Sequence, residues 1–444
     1  MDEDERFMLS RQEENKVTLM GKRYFNTVIQ NKSFSFQNRR FGVEVEFSLV
    51  DDDNNLVPGS SIHICRSIED DYIIPEYGSY QIEINPPSSP ISKNSFKNLY
   101  QTIKEKQKKI GKKCDEKHIH LLPIGIPFTL DPRLMLQKNI VTPIPRYVIS
   151  TEYFHMVNKP GAKIDFSNGS NMNLPGNSGL SIINELHVHV QALDIDDVIK
   201  LFNFSQMINA PFVSLSANSG ILNGKELIYR DYQISIFEQA EGLFDGPENI
   251  PRVGLFPDYI SSISDYFDKI LNFKPLYFPE DHSDANAFEL IIGKYFGWTR
   301  IRIGFHPSYH MRIEFRPMST QPTILENIAL TEFYIKTLLH FVEHDIDLIP
   351  KEVLKKNFYS SMMQGMHARL FWDLGAGLRE YPVNEILQEM FDLVDGGVYY
   401  NLLENRIKQY MSPAEKMVKN VHDFGFRKSV EAYEKCYHND YPYI

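Results

Sequence analysis

Hydrophobic and polar residues alternate along residues 41–49, Phe-Gly-Val-Glu-Val-Glu-Phe-Ser-Leu. Because successive side chains of a β-strand point to opposite faces, the apolar residues of this stretch would share one face. The other face would carry Glu44 and Glu46, two carboxylates about 7 Å apart that repel each other unless a cation compensates them. We therefore predict a strand at 40–50 with one core face and one acidic face. Taken alone, the stretch also fits an edge strand whose acidic side is solvated.

Three further segments show the same alternation, and we predict a second strand within 72–87, where Tyr80, Ile82 and Ile84 alternate with polar residues, and strands at 185–192 and 309–316. Their polar positions, with one residue just before the second strand, are Glu76, Glu83, His187, His189, Gln191, His310, Arg312, Glu314 and Arg316. Each strand also fits a purely structural interpretation, in which the histidines only form hydrogen bonds and the charges neutralise each other in solvent. Whether these residues form a functional site or only a solvated surface depends on whether the strands share one sheet.

Apolar residues at helical spacing predict helices at 92–113, 195–210, 258–273, 284–296, 324–343, 351–372, 383–393, 399–410 and 413–435. We expect a long loop at 159–179, where Gly, Pro, Asn and Ser accumulate. Residues 1–35 are polar and weakly helical, and we expect a frayed or peripheral arm. Since no repeat or linker is visible, we predict one α+β domain over 36–444, an antiparallel sheet with helices on one face.

Composition and charge narrow the class of function. The chain has 444 residues and 42% hydrophobic content, enough for a large core. Its net charge of −11 argues against nucleic acid or an anionic membrane surface as a partner. No apolar run approaches the roughly 18 residues of a membrane span, and the acidic N-terminus lacks a signal-peptide core. Three well-separated cysteines favour a reducing compartment, so we expect a cytoplasmic protein.

If the four strands share one sheet, their polar sides line one cavity. Carboxylates with an imidazole suit Mg²⁺ or Mn²⁺ better than a structural zinc ion, and several carboxylates would hold more than one ion. Neighbouring arginines suit phosphate oxygens, and this combination is typical of phosphoryl transfer. The chain contains no P-loop sequence, and Gly375-Ala-Gly377, which follows a predicted helix, is a weak glycine signal. We therefore expect the sheet to hold any nucleotide.

Seven segments, taken in order from about residue 40 to about residue 430, resemble glutamate–cysteine ligase family 2, carboxylate–amine ligases related to glutamine synthetase. The segments are FGVEVEFSLVD, EYGSYQIEINPPSSP, LLPIGIPF, ELHVHVQ, SLSANSGILNGKELIYRDYQISIF, MRIEFRPMSTQPTI and MMQGMHARLF. Each is weak alone, and their common order makes the resemblance strong. It implies a glutamine synthetase-like catalytic domain, a curved antiparallel sheet that forms a half-open funnel.

The resemblance also implies roles for individual residues. Two or three Mg²⁺ ions, with Mn²⁺ as an alternative, would be held by Glu44, Glu46, Glu76, Glu83, His189 and Glu314. Arg316 and Arg230 would be catalytic groups at the γ-phosphate and the acyl phosphate, while substrate or ATP would contact Asn218, Ser219, Arg312 and His187. The implied reaction is ATP-dependent amide formation: a carboxylate, in the first instance the γ-carboxylate of glutamate, forms an acyl phosphate, and an amine then displaces phosphate.

Several departures from the family pattern leave the identity of the amine substrate open, including whether it is cysteine. They are the SGILNG sequence at 219–224, Ile126, the 159–179 segment and the N-terminal arm. Two alternatives stay open: a phosphotransferase on the same scaffold, such as a guanidino kinase, and a non-catalytic protein that binds a nucleotide or metal. Six acidic and imidazole groups that bind nothing would reduce stability, which argues against the latter. The expected partners are a small carboxylate and an amine, and a homodimer is left open.

Overall fold

The computed structural model describes residues 9–137, 139–157, 161–166, 171–241, 250–275, 279, 281–394 and 397–444. Its strands are β1 Arg40–Asp51, β2 Ile73–Pro75, β3 Gln81–Ile84, β4 Ser89–Pro90, β5 Ile119–Leu122, β6 Ala162–Asp165, β7 Asn171–Leu174, β8 Glu185–Gln191, β9 Ile221–Leu222, β10 Lys225–Glu226, β11 Val253–Gly254, β12 Phe296–Gly297, β13 Thr299–Gly304, β14 His310–Ser319, β15 Arg369–Trp372 and β16 Arg379–Pro382. Its helices are α1 Arg11–Tyr24, α2 Ser60–Ile68, α3 Ser95–Asp115, α4 Pro145–Val157, α5 Ile195–Ser216, α6 Tyr232–Glu241, α7 Ile263–Ile270, α8 Asp284–Ile292, α9 Ile324–His344, α10 Lys351–Gln364, α11 Val383–Leu393, α12 Glu404–Gln409, α13 Pro413–Phe424 and α14 Phe426–Asn439.

Eight of these strands form one antiparallel sheet with β1 at its centre. The order is β13-β14-β8-β1-β3-β2, and β4 and β5 pair with the two ends of β1. The register sets Glu44 opposite His187 and Glu46 opposite Glu83. The four predicted strands therefore share one sheet. Because side chains alternate between faces, the predicted polar positions lie on the same side.

The opposite face of the sheet packs against helices, as predicted. The alternating apolar side chains of β1 are buried. Phe315 on β14 stacks on Tyr334 of α9 with ring centroids 4.1 Å apart, and Phe212 of α5 packs edge-on against it. Burying an apolar side chain of this size stabilises the fold by about 1.5–3 kcal/mol. This α+β core therefore holds the polar face of the sheet on a rigid support.

From residue 9 on, the N-terminal segment is ordered into a helix rather than frayed, and the alternative expectation of a peripheral arm stays a prediction. Ser10 caps α1, and its side chain accepts a hydrogen bond from the backbone N–H of Glu13 in a capping box. Val17 is buried in the core, and Phe25 just beyond the helix packs within 5.2 Å of Phe267 on α7. Apolar side chains one helical turn apart explain why this part of the segment is anchored. A domain boundary near residue 35 remains a prediction.

Several predicted elements are wrong in type or extent, and the helix predicted at 413–435, for example, is two helices separated at Gly425. The described parts of 159–179 include β6 and β7, which pair antiparallel with Ala162 opposite Leu174, where a long loop was expected. The helix predicted to residue 372 ends at Gln364, because Gly365 takes φ +56 and a Cβ there would lie 2.1 Å from Glu415 Oε1. Strands β15 and β16 follow, so the Gly375–Gly377 turn comes after a strand.

Strand β13, at the edge of the sheet, was not predicted at all. It pairs with β14 along its whole length, from Thr299 opposite Phe315 to Gly304 opposite His310. Among the described residues, no helix is long and apolar enough to cross a membrane.

Candidate active site

His187 lies at the centre of the polar side of the sheet, between two carboxylates. Its Nδ1 is 2.8 Å from Glu44 Oε2 on β1, and its Nε2 is 2.8 Å from Glu185 Oε2, two residues earlier on β8. Burial and the charge of Arg316 disfavour the charged imidazole, but hydrogen bonds to Glu185 and Glu44 outweigh them and raise the pKa of His187 to about 10. His187 thus bridges β1 and β8, and its imidazole would have to lose a proton to bind a metal ion.

Glu44 contacts both histidines of β8. Its Oε1 is 3.1 Å from Nε2 of His189, whose Nδ1 lies 3.3 Å from Nε of Arg312. Burial would raise the pKa of Glu44, but the charges and hydrogen bonds of His189 and His187 hold it well below its usual range. Glu44 is therefore charged and available to a cation from its partly exposed side.

In three other carboxylates of this surface the pKa is raised rather than lowered. Burial, with the charges of Glu76 and Glu185, raises the pKa of Glu46 to about 8 against the effect of His187. Burial and the neighbouring carboxylates raise the pKa of Glu83 well above its usual value. Burial also raises the pKa of Glu76, although the Tyr147 hydroxyl donates to it at 3.0 Å. Like charges in a low-dielectric site repel, and a bound cation would relieve them.

Arginines surround Glu314 on β14. Arg300 donates to both of its carboxylate oxygens at 2.8 Å, and Arg316 Nη1 donates to Oε1 at 2.8 Å. Arg316 also reaches Glu185 Oε2 at 3.1 Å, so it joins the two ends of the cluster. Burial would raise the pKa of Glu314, but Arg300 and Arg316 hold it well below its usual value. Arginine charges are thereby held beside the carboxylates.

We call this surface the acidic face. Its members are Glu44, Glu46, Glu76, Glu83, Glu185, His187, His189, Arg300, Arg312, Glu314 and Arg316. Two groups within it bring their ligand atoms within 4.8 Å of one another: Glu44, His187 and Glu314 in one, Glu46, Glu185 and His187 in the other. Glu185 Oε1 is buried without a hydrogen-bond partner in the described structure. Carboxylate oxygens with an imidazole and an unpartnered oxygen fit Mg²⁺ or Mn²⁺.

Two other predicted residues, Asn218 and Ser219, are held by buried hydrogen bonds, and their predicted contact with substrate or ATP stays a prediction. Asn218 Nδ2 donates to Thr320 O at 2.7 Å and to the Tyr433 hydroxyl at 2.8 Å, and Ser219 Oγ donates to Asp231 at 2.7 Å. Both are buried, and they brace the loop against the end of β14.

Arg230 forms an ion pair with Glu226 at 3.0 Å, and its backbone N–H donates to Met362 O. No hydrogen bond or ion pair in the described part of the chain joins Arg230 to the acidic face. Its predicted role at the acyl phosphate therefore stays a prediction.

Sequence reasoning missed two members of the acidic face. Glu185 precedes His187 by two residues, so the period of a strand already placed its side chain on the same side. Arg300 was missed with its strand, although Thr299, Ile301 and Ile303 alternate with Arg300 and Arg302. In both cases the alternation of polar and apolar residues along the strand could have identified the residue.

Comparison with known proteins identifies the family. Residues 40–387 match the family described as glutamate–cysteine ligase family 2. The chain belongs to this family. It is an ATP-dependent carboxylate–amine ligase, an enzyme that forms C–N bonds. Among curated protein sequences, none matches the chain.

Solved structures agree on the fold. Glutamate–cysteine ligase from Francisella tularensis, in complex with AMP, is 12% identical, with a TM-score of 0.57 over 91% of this chain and 89% of that one. A bifunctional glutathione synthetase from Pasteurella multocida is 12% identical, with a TM-score of 0.52 over 96% of this chain and 54% of that one. At these identities the likeness shows the fold alone, and it confirms the predicted ligase fold.

Proposed function

We propose that the chain joins the γ-carboxylate of glutamate to the amine of a second small molecule, with cysteine as the first candidate. In the first step a carboxylate oxygen attacks the γ-phosphorus of ATP, the bond to the β–γ bridging oxygen breaks, and ADP leaves. In the second step the amine nitrogen attacks the acyl carbon, phosphate leaves, and the nitrogen loses a proton. The product is an amide.

The observation that carries this proposal is the position of His187, shared by both candidate metal groups and flanked by the arginines of β13 and β14. Mg²⁺ bound here would neutralise charge on phosphate oxygens. The proposed ligands are Glu44, Glu46, Glu76, Glu83, His189 and Glu314, and we add Glu185 and His187 because their ligand atoms belong to the two close groups. Bound cations would replace the arginine and histidine contacts that these carboxylates now have.

Arg316 is the residue we assign to the transferred phosphoryl group. Burial alone would lower its pKa, but Glu185 and Glu314 raise it, so the side chain stays charged at every working pH. Its fork already spans two carboxylates, and the same geometry matches two phosphate oxygens. Arg312, 3.3 Å from His189, is the second proposed contact to ATP or substrate. Both residues bind and orient rather than exchange protons.

The test is ADP release by the full chain with ATP and Mg²⁺, with and without glutamate, across a panel of amines that includes cysteine. Release that requires glutamate and one amine would support the proposal and name the amine. Release with a guanidine compound and no carboxylate would replace it with a kinase. No release with any pair would overturn glutamate as the carboxylate.

Two variants accompany this assay. Glu44→Gln keeps the shape of the side chain and removes one charge at the centre of the acidic face, and it should abolish release. Glu116→Gln makes the same change at an exposed position just after α3 and should leave release unchanged. Equal activity of the two variants would contradict the placement of the reaction on the acidic face.

A further inference from the structure

One aromatic ring lies among three buried arginines, two of which belong to the acidic face. Phe296, on the short strand β12, is half-buried, and the guanidinium carbons of Arg252 and Arg300 each lie 5.1 Å from its ring centroid. The guanidinium carbon of Arg316 lies 5.7 Å from the same centroid. A guanidinium group within about 6 Å of a ring is attracted by the negative charge of the ring's face. The ring is therefore a shared contact of three cations that repel one another.

The backbone that carries this ring is fixed on both sides. The N–H of Phe296 donates to Arg252 O at 2.8 Å, and β12 pairs in parallel with β11, with Phe296 opposite Val253. Two residues later, Trp298 O accepts from the backbone N–H of Arg316 at 2.9 Å. Because the same short segment is hydrogen-bonded to the backbone of two of the arginines, the position of the ring relative to them is set by the fold.

Two of the arginine side chains also donate to carbonyl groups next to the ring. Arg252 Nε donates to Lys294 O at 2.9 Å, and Arg300 Nη1 donates to Tyr295 O at 3.1 Å. Arg252 forms a further ion pair with the buried Glu241. Arg252 therefore has a carboxylate partner outside the acidic face and belongs to the support of the ring.

The carboxylate partners of Arg300 and Arg316, by contrast, are proposed metal ligands. Both arginines donate to Glu314, and Arg316 also donates to Glu185. Mg²⁺ on these carboxylates would compete with the arginines for the same oxygens. At Arg316 the Nε–H is buried and has no hydrogen-bond partner in the described structure, and the Phe296 ring lies beside this guanidinium group. Metal binding would leave the aromatic contact in place.

We propose that Phe296 is a positioning residue of the ligase, whose ring holds the guanidinium groups of Arg300 and Arg316 in place while ATP occupies the acidic face. This inference rests on the proposed role of Arg316 at the transferred phosphoryl group. A neutral ring attracts the arginines without competing with phosphate oxygens for their N–H groups, as a further carboxylate would. Phe296 acts through the arginines, so its loss should misorient Arg316 and slow phosphoryl transfer.

The test changes the charge distribution of the ring and leaves its shape nearly unchanged. Mono-, di- and trifluorophenylalanine are introduced at position 296 of the full chain by nonsense suppression. Each fluorine withdraws negative charge from the face of the ring, so kcat for ADP release should fall roughly two-fold per fluorine. The KM for glutamate and the melting temperature should stay nearly constant across the series, because the packing of the ring is retained.

The matched control is the same series at Phe288 on α8. This ring is 1% exposed and packs against Phe267 with centroids 5.8 Å apart, and the described part of the chain places no cation over it. Fluorination at Phe288 should leave kcat unchanged. Phe296→Leu should lower kcat about 10-fold, and Phe296→Tyr, which keeps a ring, should restore most of it. A flat series at position 296, or equal losses at both positions, would overturn the proposal.

A second readout does not depend on the identity of the substrates. The dissociation constant of a non-hydrolysable ATP analogue with Mg²⁺, measured by calorimetry, should also rise with each fluorine at position 296. If the γ-glutamyl proposal fails, the wild-type chain releases ADP with another substrate pair or with none, and the series is then compared on that pair or on the analogue. A dissociation constant that is unchanged across the series, or a wild-type chain that binds no analogue, would overturn the role of Phe296.

Discussion

Two buried clusters of charge, one around Arg406 and the other the acidic face, differ in how completely their polar groups are paired. Arg406 on α12 is 1% exposed and donates to Glu326 Oε1 at 2.7 Å and to Gln321 Oε1 at 2.6 Å. Glu326 also accepts from the Thr323 hydroxyl and from the backbone of Tyr443. Each charged group in this cluster therefore has an ion pair with an opposite charge and further hydrogen bonds.

In the acidic face, by contrast, the charges are not fully compensated. Carboxylates outnumber cations around β1 and β3, the pKa of Glu46 rises to about 8 through burial and neighbouring carboxylates, and Glu185 Oε1 and Arg316 Nε lack partners. A satisfied buried pair is already compensated, whereas an excess of like charges is relieved by protonation, as the raised pKa of Glu46 indicates, or by a bound cation. The comparison separates a structural cluster from a functional one by the balance of its partners.

The largest effect should come from breaking the satisfied cluster. Arg406→Ala leaves Glu326 buried without its cation, and we expect a loss of about 3–5 kcal/mol in the free energy of unfolding. Urea denaturation followed by circular dichroism measures this. Arg427→Ala, at a position with a 92% exposed side chain, is the control. A loss below about 1 kcal/mol for Arg406→Ala would remove the distinction between the clusters.

A buried carboxylate without a cation should make stability depend on pH. Burial raises the pKa of Asp231 to about 7, although Ser219 and Ser319 donate to it. The pKa of Asp231 is higher in the folded protein than in the unfolded chain. The contribution of the protonated Asp231 to the free energy of unfolding is therefore fully present below pH 4 and is lost as the pH rises through 7. It amounts to at most about 4 kcal/mol at about 1.4 kcal/mol per pKa unit.

Asp231→Asn should remove the part of the pH dependence of the free energy of unfolding that Asp231 causes. The measurement is urea unfolding of both proteins at several pH values between 4 and 8. Parallel stability curves for the two proteins would show that Asp231 does not titrate in this range.

Removing one charge from the acidic face should affect activity rather than stability. Glu46→Gln resembles the protonated form that its raised pKa favours, so the free energy of unfolding should stay within about 1 kcal/mol. Mg²⁺-dependent ADP release should fall about 100-fold, because one proposed metal ligand is lost. Both are measured on the same preparation. A large loss of stability with unchanged activity would reverse the roles assigned to the two clusters.

The smallest effect should come from a surface ion pair. Lys356 and Glu380 lie 3.0 Å apart with side chains 62% and 41% exposed. Lys356→Ala should change the free energy of unfolding by less than about 0.5 kcal/mol. A loss comparable to that of Arg406→Ala would mean that exposure does not separate these pairs.

The alternation of residues predicted most of the sheet and its acidic face. Glu44, Glu46, Glu83, His187 and Glu314 are on one side, because a period of two admits only one arrangement once the apolar side is buried. Helices with a regular apolar stripe were also predicted well, for example α9 and α11.

The predictions failed where local pattern is weak or overruled. Short strands such as β6 and β7 lie in sequence rich in Gly and Asn, so composition indicated a loop. The end of α10 depends on Gly365, where Glu415 and Arg230 approach too closely for a Cβ. Arg230 itself matched the family motif and pairs locally with Glu226, four residues earlier, but the hydrogen bond from its backbone N–H to Met362 O depends on how two distant segments pack.

The sequence by itself determined the class of fold, the family and the sign of charge along each strand, since these depend on side-chain periodicity and on motifs read in order. Only the tertiary structure decided which charges meet. His187 beside Glu44, Arg316 beside Glu185, and His120 beside Glu434 all join residues far apart in the chain. The physical reason is that strand register and helix packing, set by the burial of the whole core, bring these groups within hydrogen-bonding distance.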